Sequence, residues 1–135
     1  MSNVESLRRQ HLDVLEIVDN IDLLIKKSEF EVNGNDIAKN INLLAGKLNI
    51  HLSTEDKFMY PKLRESSDDN LRKLAEEYSS EMGHIFQTFS QYKERYNTRT
   101  KILSSPEDFK KDTIEVFKVL RKRINKEDKE LYNLI

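Results

Sequence analysis

Apolar residues recur at steps of three and four along four long stretches of this chain, with turn signals between them. That rhythm puts a stripe on one face of a helix, and each stripe must be buried against another. The first stripe is Val4, Leu7, His11, Val14, Val18, Ile21 and Ile25, on a helix expected over residues 3–29 with Ser2 as its N-cap. The second is Ile37, Ile41, Leu44 and Leu48, leading into His51 and Glu55. Its helix is expected to start at Asp36, after an Asn33-Gly34-Asn35 turn, and to run to about Met59, where Pro61 opens a short extra turn. The third helix is expected over residues 70–96, and 97–104 is a connection. Ser105-Pro106-Glu107-Asp108 opens the fourth with a cap, a proline at the first position and acids on the positive end of the dipole. Short linkers between four such helices predict an all-α, up-down-up-down four-helix bundle in one domain, residues 1–135.

Some residues on these stripes are polar. His51 and Glu55 stand one turn apart on the inward face, and an imidazole and a carboxylate so placed are what a buried divalent cation needs. A single His-x-x-x-Glu pair is more often a local surface hydrogen bond, but the chain repeats itself. Glu55-Asp56-x-x-Met59-Tyr60 returns 72 residues later as Glu127-Asp128-x-x-Leu131-Tyr132. Leu44 and Leu48 precede the first copy as Val116 and Leu120 precede the second, so two hairpins related by a pseudo-twofold axis are expected. Arg123 stands where the first copy has His51.

His11 sits on the first stripe as either a satisfied core residue or a ligand. Its apolar neighbours at −7, −4, +3, +4 and +7 are Val4, Leu7, Val14, Leu15 and Val18; the same offsets from Met82 give Ala75, Tyr78, Ile85, Phe86 and Phe89. Met82 is therefore the counterpart of His11 in the second hairpin. His84 lies roughly 130° from the centre of its stripe and is expected on the surface.

Composition narrows the chemistry. Twenty-three basic and 24 acidic residues leave a net charge of −1, with no basic footprint for nucleic acid. There is no cysteine, so a metal would have to be held by imidazole and carboxylate. No apolar run suits a membrane span or a signal-peptide core, and a cytoplasmic setting is expected. Arg8-Arg9 and Lys110-Lys111 read as solvated faces. No separate nucleophile or general-base constellation supports an enzyme.

Arg8-Arg9-Gln10-His11, His51-x-x-x-Glu55-Asp56-x-x-Met59-Tyr60-Pro61 and Glu127-Asp128-x-x-Leu131-Tyr132 together resemble the hemerythrin family, in its bacterial HHE cation-binding form, over essentially the whole chain. The resemblance implies a non-haem di-iron bundle that binds or senses dioxygen, or acts in iron handling and nitrosative-stress repair. Carried over by position, it implies His11 and His51 as ligands of one iron and Glu55 and Glu127 as bridging carboxylates. The imidazoles of the other iron would stand at Met82 and Arg123. A thioether is soft and a guanidinium keeps its proton, so neither is an ordinary ligand for this metal. The expectation is one iron per chain, two being the family's full set and zinc or manganese the alternatives, with dioxygen or another diatomic as ligand. Arg123 is expected to turn inward and pair with Glu127, and with Glu55 across the bundle. The competing expectation is a metal-free degenerate bundle serving as a protein-interaction module, and a homodimer stays open.

Overall fold

The computed structural model describes residues 3–135, so the Ser2 cap lies outside the described residues. Helix α1 covers Asn3–Lys26, α2 Phe30–Thr54, α4 Asp69–Tyr96 and α6 Pro106–Lys126, with short helices α3 (Tyr60–Arg64) and α5 (Arg99–Ser104) in the connections. Contacts run α1 to α2, α2 to α4, α4 to α6 and α6 back to α1, which closes an up-down-up-down bundle.

The end of the first helix and the start of the second differ from the sequence expectation. Asn33-Gly34-Asn35 is not a turn but part of α2, which begins at Phe30 rather than Asp36. The reversal lies at Lys27 to Glu29, where Ser28 takes the left-handed conformation at φ 52° and α1 ends three residues early. Energetics explain the choice. Continuing the helix back to Phe30 buries that ring edge-to-face on Phe109, 5.5 Å between centroids. Burying a phenylalanine is worth about 2–3 kcal/mol, against about 1 kcal/mol for a glycine inside a helix. Gly34 also makes room for the Arg99 stem, whose Cγ lies 2.8 Å from where a Cβ would stand. The Arg99 guanidinium then donates to Glu31 O at 3.0 and 3.1 Å, tying α5 to α2. Within the 97–104 connection Arg99–Ser104 thus forms a short helix capped by Thr98. Ser105 precedes Pro106 as expected but makes no side-chain cap. Asp68 caps α4 by accepting from Asn70 N at 2.8 Å.

The core has two parts. A large cluster around Val18, Ile21, Ile41, Leu44, Phe89, Phe117 and Leu120 fills one end. Leu7, Met59, Tyr60, Ala75, Tyr78, Leu131 and Tyr132 fill the other. On α1, His11 falls between Leu7 and Val14; on α2, His51 falls between Leu48 and Met59; Glu127 falls between Ile124 and Leu131. A layer of buried polar groups therefore divides the two apolar clusters.

Both copies of the repeat leave α-helical geometry at the same point. Glu55–Met59 and Glu127–Leu131 are single π-helical turns, closed by Tyr60 N donating to Glu55 O and Tyr132 N donating to Glu127 O. In an α-helix the residue five after a glutamate points about 140° away from it. A π turn stacks it over the glutamate instead, and so Tyr60 and Tyr132 both face inward and are buried.

Candidate metal centre

The polar layer consists of His11, His51, Glu55, Arg123 and Glu127, all at most 4 % exposed. His11 Nε2, His51 Nε2 and Glu127 Oε1 converge: 3.0 Å between the imidazole nitrogens, 2.8 and 3.4 Å from each to the carboxylate oxygen. These three residues form a cluster that could hold a metal ion. Glu55 borders it. Its Oε1 lies 3.4 Å from His51 Nε2 without hydrogen-bond alignment, and that oxygen is buried with no hydrogen-bond partner. Its Oε2 is 3.4 Å from the Tyr132 hydroxyl.

The far nitrogens of both imidazoles are engaged. His11 Nδ1 is 2.8 Å from Asp128 Oδ1, and His51 Nδ1 is 2.9 Å from Gln10 Oε1. Gln10 is itself oriented by donating to Thr54 Oγ1, which donates to Ile50 O. Asp128 and Gln10 can each hold a proton on Nδ1, which frees Nε2 to turn a lone pair toward a cation in the site; a proton on Nε2 is instead donated to Glu127 Oε1. Two lone pairs 3.0 Å apart, facing a carboxylate oxygen, need a cation or a proton among them. Arg8 joins the outer layer by donating to Asp128 O at 3.2 Å, so it is not merely solvated.

The electrostatics sort the two glutamates. Burial, then the neighbouring Glu127 charge, pushes the Glu55 carboxyl well above the usual range. Burial acts the same way on Glu127, but hydrogen bonds from His11 and His51 and the Arg123 charge outweigh it and hold Glu127 well below. Burial lowers His51 and keeps it neutral against the pull of Glu127.

Arg123 turns inward and fills the second half of the layer. Its Nε donates to Glu127 Oε2 at 3.0 Å, Nη2 to Tyr78 O at 2.9 Å and Tyr60 Oη at 3.3 Å, and Nη1 to Glu81 Oε2 at 3.2 Å. Its guanidinium also lies over the Tyr78 ring, 4.5 Å from the centroid. The expected cross-bundle partner Glu55 is not in direct contact with it among the described ion pairs; Glu81 is instead. Met82 is buried beside this half, on the wall of a cavity of about 560 Å³ also lined by Asp56, Lys57, Tyr60 and Phe86. Asp56 matches Asp128 in the repeat. With a thioether at Met82 there is no imidazole for it to orient, and it is exposed. His84 is exposed, as its place on the helix requires.

Sequence reasoning missed Gln10, Asp128 and Tyr132 as members of the site. The Glu-Asp-x-x-apolar-Tyr repeat carried the signal for the last two, but a 3.6-residue wheel turns that tyrosine away.

No helix among the described residues is long and apolar enough to cross a membrane. No curated protein and no solved structure shows significant similarity to the chain. The family model described as the hemerythrin HHE cation binding domain matches residues 2–135. With a bundle of this topology and an imidazole–carboxylate cluster at its buried polar layer, the chain belongs to the hemerythrin HHE cation-binding family.

Proposed function

We propose that this chain is a hemerythrin-like protein with a mononuclear centre: one cation held by His11, His51, Glu127 and Glu55, and the Arg123 guanidinium in place of a second. The observation that carries this reading is how the Glu127 carboxylate is shared. Its Oε1 faces the two histidines and its Oε2 accepts from Arg123 Nε. A carboxylate that would bridge two metals bridges one site and one fixed organic cation.

The residues fit a cation. Two inward lone pairs and a depressed carboxylate supply donors of the type that first-row divalent metals take. Glu55 Oε1, buried without a partner, is a further acceptor that a cation would satisfy. In a metal-free interaction module Glu55 Oε1 would stay without a partner. Iron is the metal the family favours, with zinc and manganese able to use the same donors. When bound, iron with few protein ligands supplies an open position for dioxygen or another diatomic ligand and one-electron chemistry. The chain's own part is to fix the imidazole tautomers through Asp128 and Gln10, to exclude water with Leu7, Met59 and Leu131, and to hold the second cation position closed with Arg123. We read the role as binding or sensing a small ligand in the cytoplasm, with no nucleic-acid or membrane partner.

Metal analysis of protein purified without oxygen tests this. The expected content is one iron per chain in wild type and none in His51→Ala. Two tightly held irons per wild-type chain would show that Arg123 does not exclude the second.

A further inference from the structure

We propose that the Tyr132 phenol oxygen is a direct donor to the cation, which makes this a tyrosine-ligated site suited to ferric iron. The inference rests on the one-metal reading above and adds a ligand to it. Tyr132 Oη lies 3.1 Å from His11 Nε2, 3.2 Å from His51 Nε2 and 3.3 Å from Glu127 Oε1. With the three distances among those atoms, all six edges of a four-atom figure fall between 2.8 and 3.4 Å. A regular tetrahedron of such edges has its centre about 1.9 Å from each vertex, close to the roughly 2.0–2.2 Å at which nitrogen and oxygen donors bind a first-row metal. The four donor atoms already stand where a tetrahedral set would.

Hydrogen bonding alone does not explain that placement. A phenol has one proton to give. Around this one lie two imidazole nitrogens and two carboxyl oxygens, Glu127 Oε1 and Glu55 Oε2. Whichever of them shares that proton, the other three still converge on the phenol oxygen. A tyrosine serving only to pack needs one acceptor, not four converging ones.

The repeat supplies an independent argument. Tyr60 is the counterpart of Tyr132, presented by the same π turn. Its oxygen lies 3.3 Å from Arg123 Nη2, so in the second half of the layer the tyrosine oxygen faces the cation that fills it. Arg123 is the counterpart of His51, so the matching contact in the first half is the 3.2 Å approach of the Tyr132 oxygen to His51 Nε2, a nitrogen that faces the site.

Ligation exchanges the O–H bond for an O–metal bond, and the proton leaves to solvent. A bound cation favours the phenolate form of a phenol that ligates it. A phenolate is a hard anionic donor, and beside a carboxylate it favours the trivalent over the divalent state of iron.

The test loads the full chain anaerobically with ferrous iron, oxidises it in air, and records iron content and visible absorption. Wild type is expected to hold one ferric ion and show a phenolate-to-iron charge-transfer band. Tyr132→Phe should lose the band and bind iron at least about tenfold more weakly, while Tyr60→Phe keeps the band. Should Tyr132→Phe not fold, wild type titrated with zinc must still give the ultraviolet difference signal of one tyrosinate per zinc. Metal bound without either signal, or a band that survives in Tyr132→Phe, overturns the tyrosine ligand and leaves the one-metal reading standing. A wild-type chain that binds neither iron nor zinc overturns both.

Discussion

Replacing Arg123 by leucine should cost the metal-free protein about 3 kcal/mol at neutral pH, at the lower end of what breaking a buried pair costs. Glu127 and Arg123 are 1 % and 4 % exposed, so water screens the lost interaction little. The substitution removes the 3.0 Å charge-assisted bond to Glu127 and the 2.9 Å bond to the Tyr78 carbonyl, which keeps its place in the α4 backbone ladder. The loss stays at the low end because His11 and His51 still hydrogen-bond Glu127 Oε1, and leucine fills much of the vacated volume. Urea unfolding with chelator present, followed by far-ultraviolet circular dichroism, reads the change; for a chain of this length the melting temperature should fall by about 10 °C. The pH dependence checks the cause. Glu127 is held below its ordinary value against burial, by hydrogen bonds from the histidines and by the Arg123 charge. Its stabilisation is therefore complete above about 4.5 and is lost as pH falls through the depressed value. The Arg123→Leu penalty should shrink over that same acidic range as Glu127 takes up a proton. Glu81→Gln, at a half-exposed partner of the same guanidinium, should cost under about 1 kcal/mol. An Arg123→Leu loss that is also under about 1 kcal/mol would refute the view that the guanidinium compensates a buried charge.

Met82→His combined with Arg123→His should raise the iron content from one to two per chain, because the seams around Met82 and Arg123 match those around His11 and His51; a folded double variant holding one iron would refute the equivalence of the half-sites. Release of the Tyr132 proton on binding should make iron affinity fall roughly tenfold per pH unit through the neutral range, whereas His51, whose proton affinity burial lowers, should steepen the fall only once pH passes its lowered value; a competition titration that is flat in wild type between about pH 8 and 6.5 would contradict this. Gly46→Ala, with no atom within 4 Å of its added methyl, should stabilise the bundle by about 1 kcal/mol in urea melts, whereas Gly34→Ala should gain nothing because the methyl meets Arg99 Cγ.

The four stripes, their up-down order and the repeat could all be read directly, because a buried helix face must be apolar at a 3.6-residue period wherever the chain goes. His11, His51, Glu55 and Glu127 were legible for the same reason: polar groups on an apolar face stand out, and the structure gathers them into one layer. The inward turn of Arg123 followed from the need to compensate a buried carboxylate. What lies between side chains on different helices was not written in any one of them. The start of α2 depended on Phe30 finding Phe109, 79 residues away, and that contact overrode an Asn-Gly-Asn signal which by itself favours a turn. Glu81, rather than Glu55, was chosen for Arg123 by where α4 lies beside α6. Tyr132 was hidden by assuming one helical period throughout; the π turns, which shift the register of everything after Glu55 and Glu127, bring the phenol over the carboxylate. The sequence by itself determined which faces are buried and which charges they carry. Tertiary packing decided which atoms meet, because helix register and crossing are set by long-range contacts that no local period encodes.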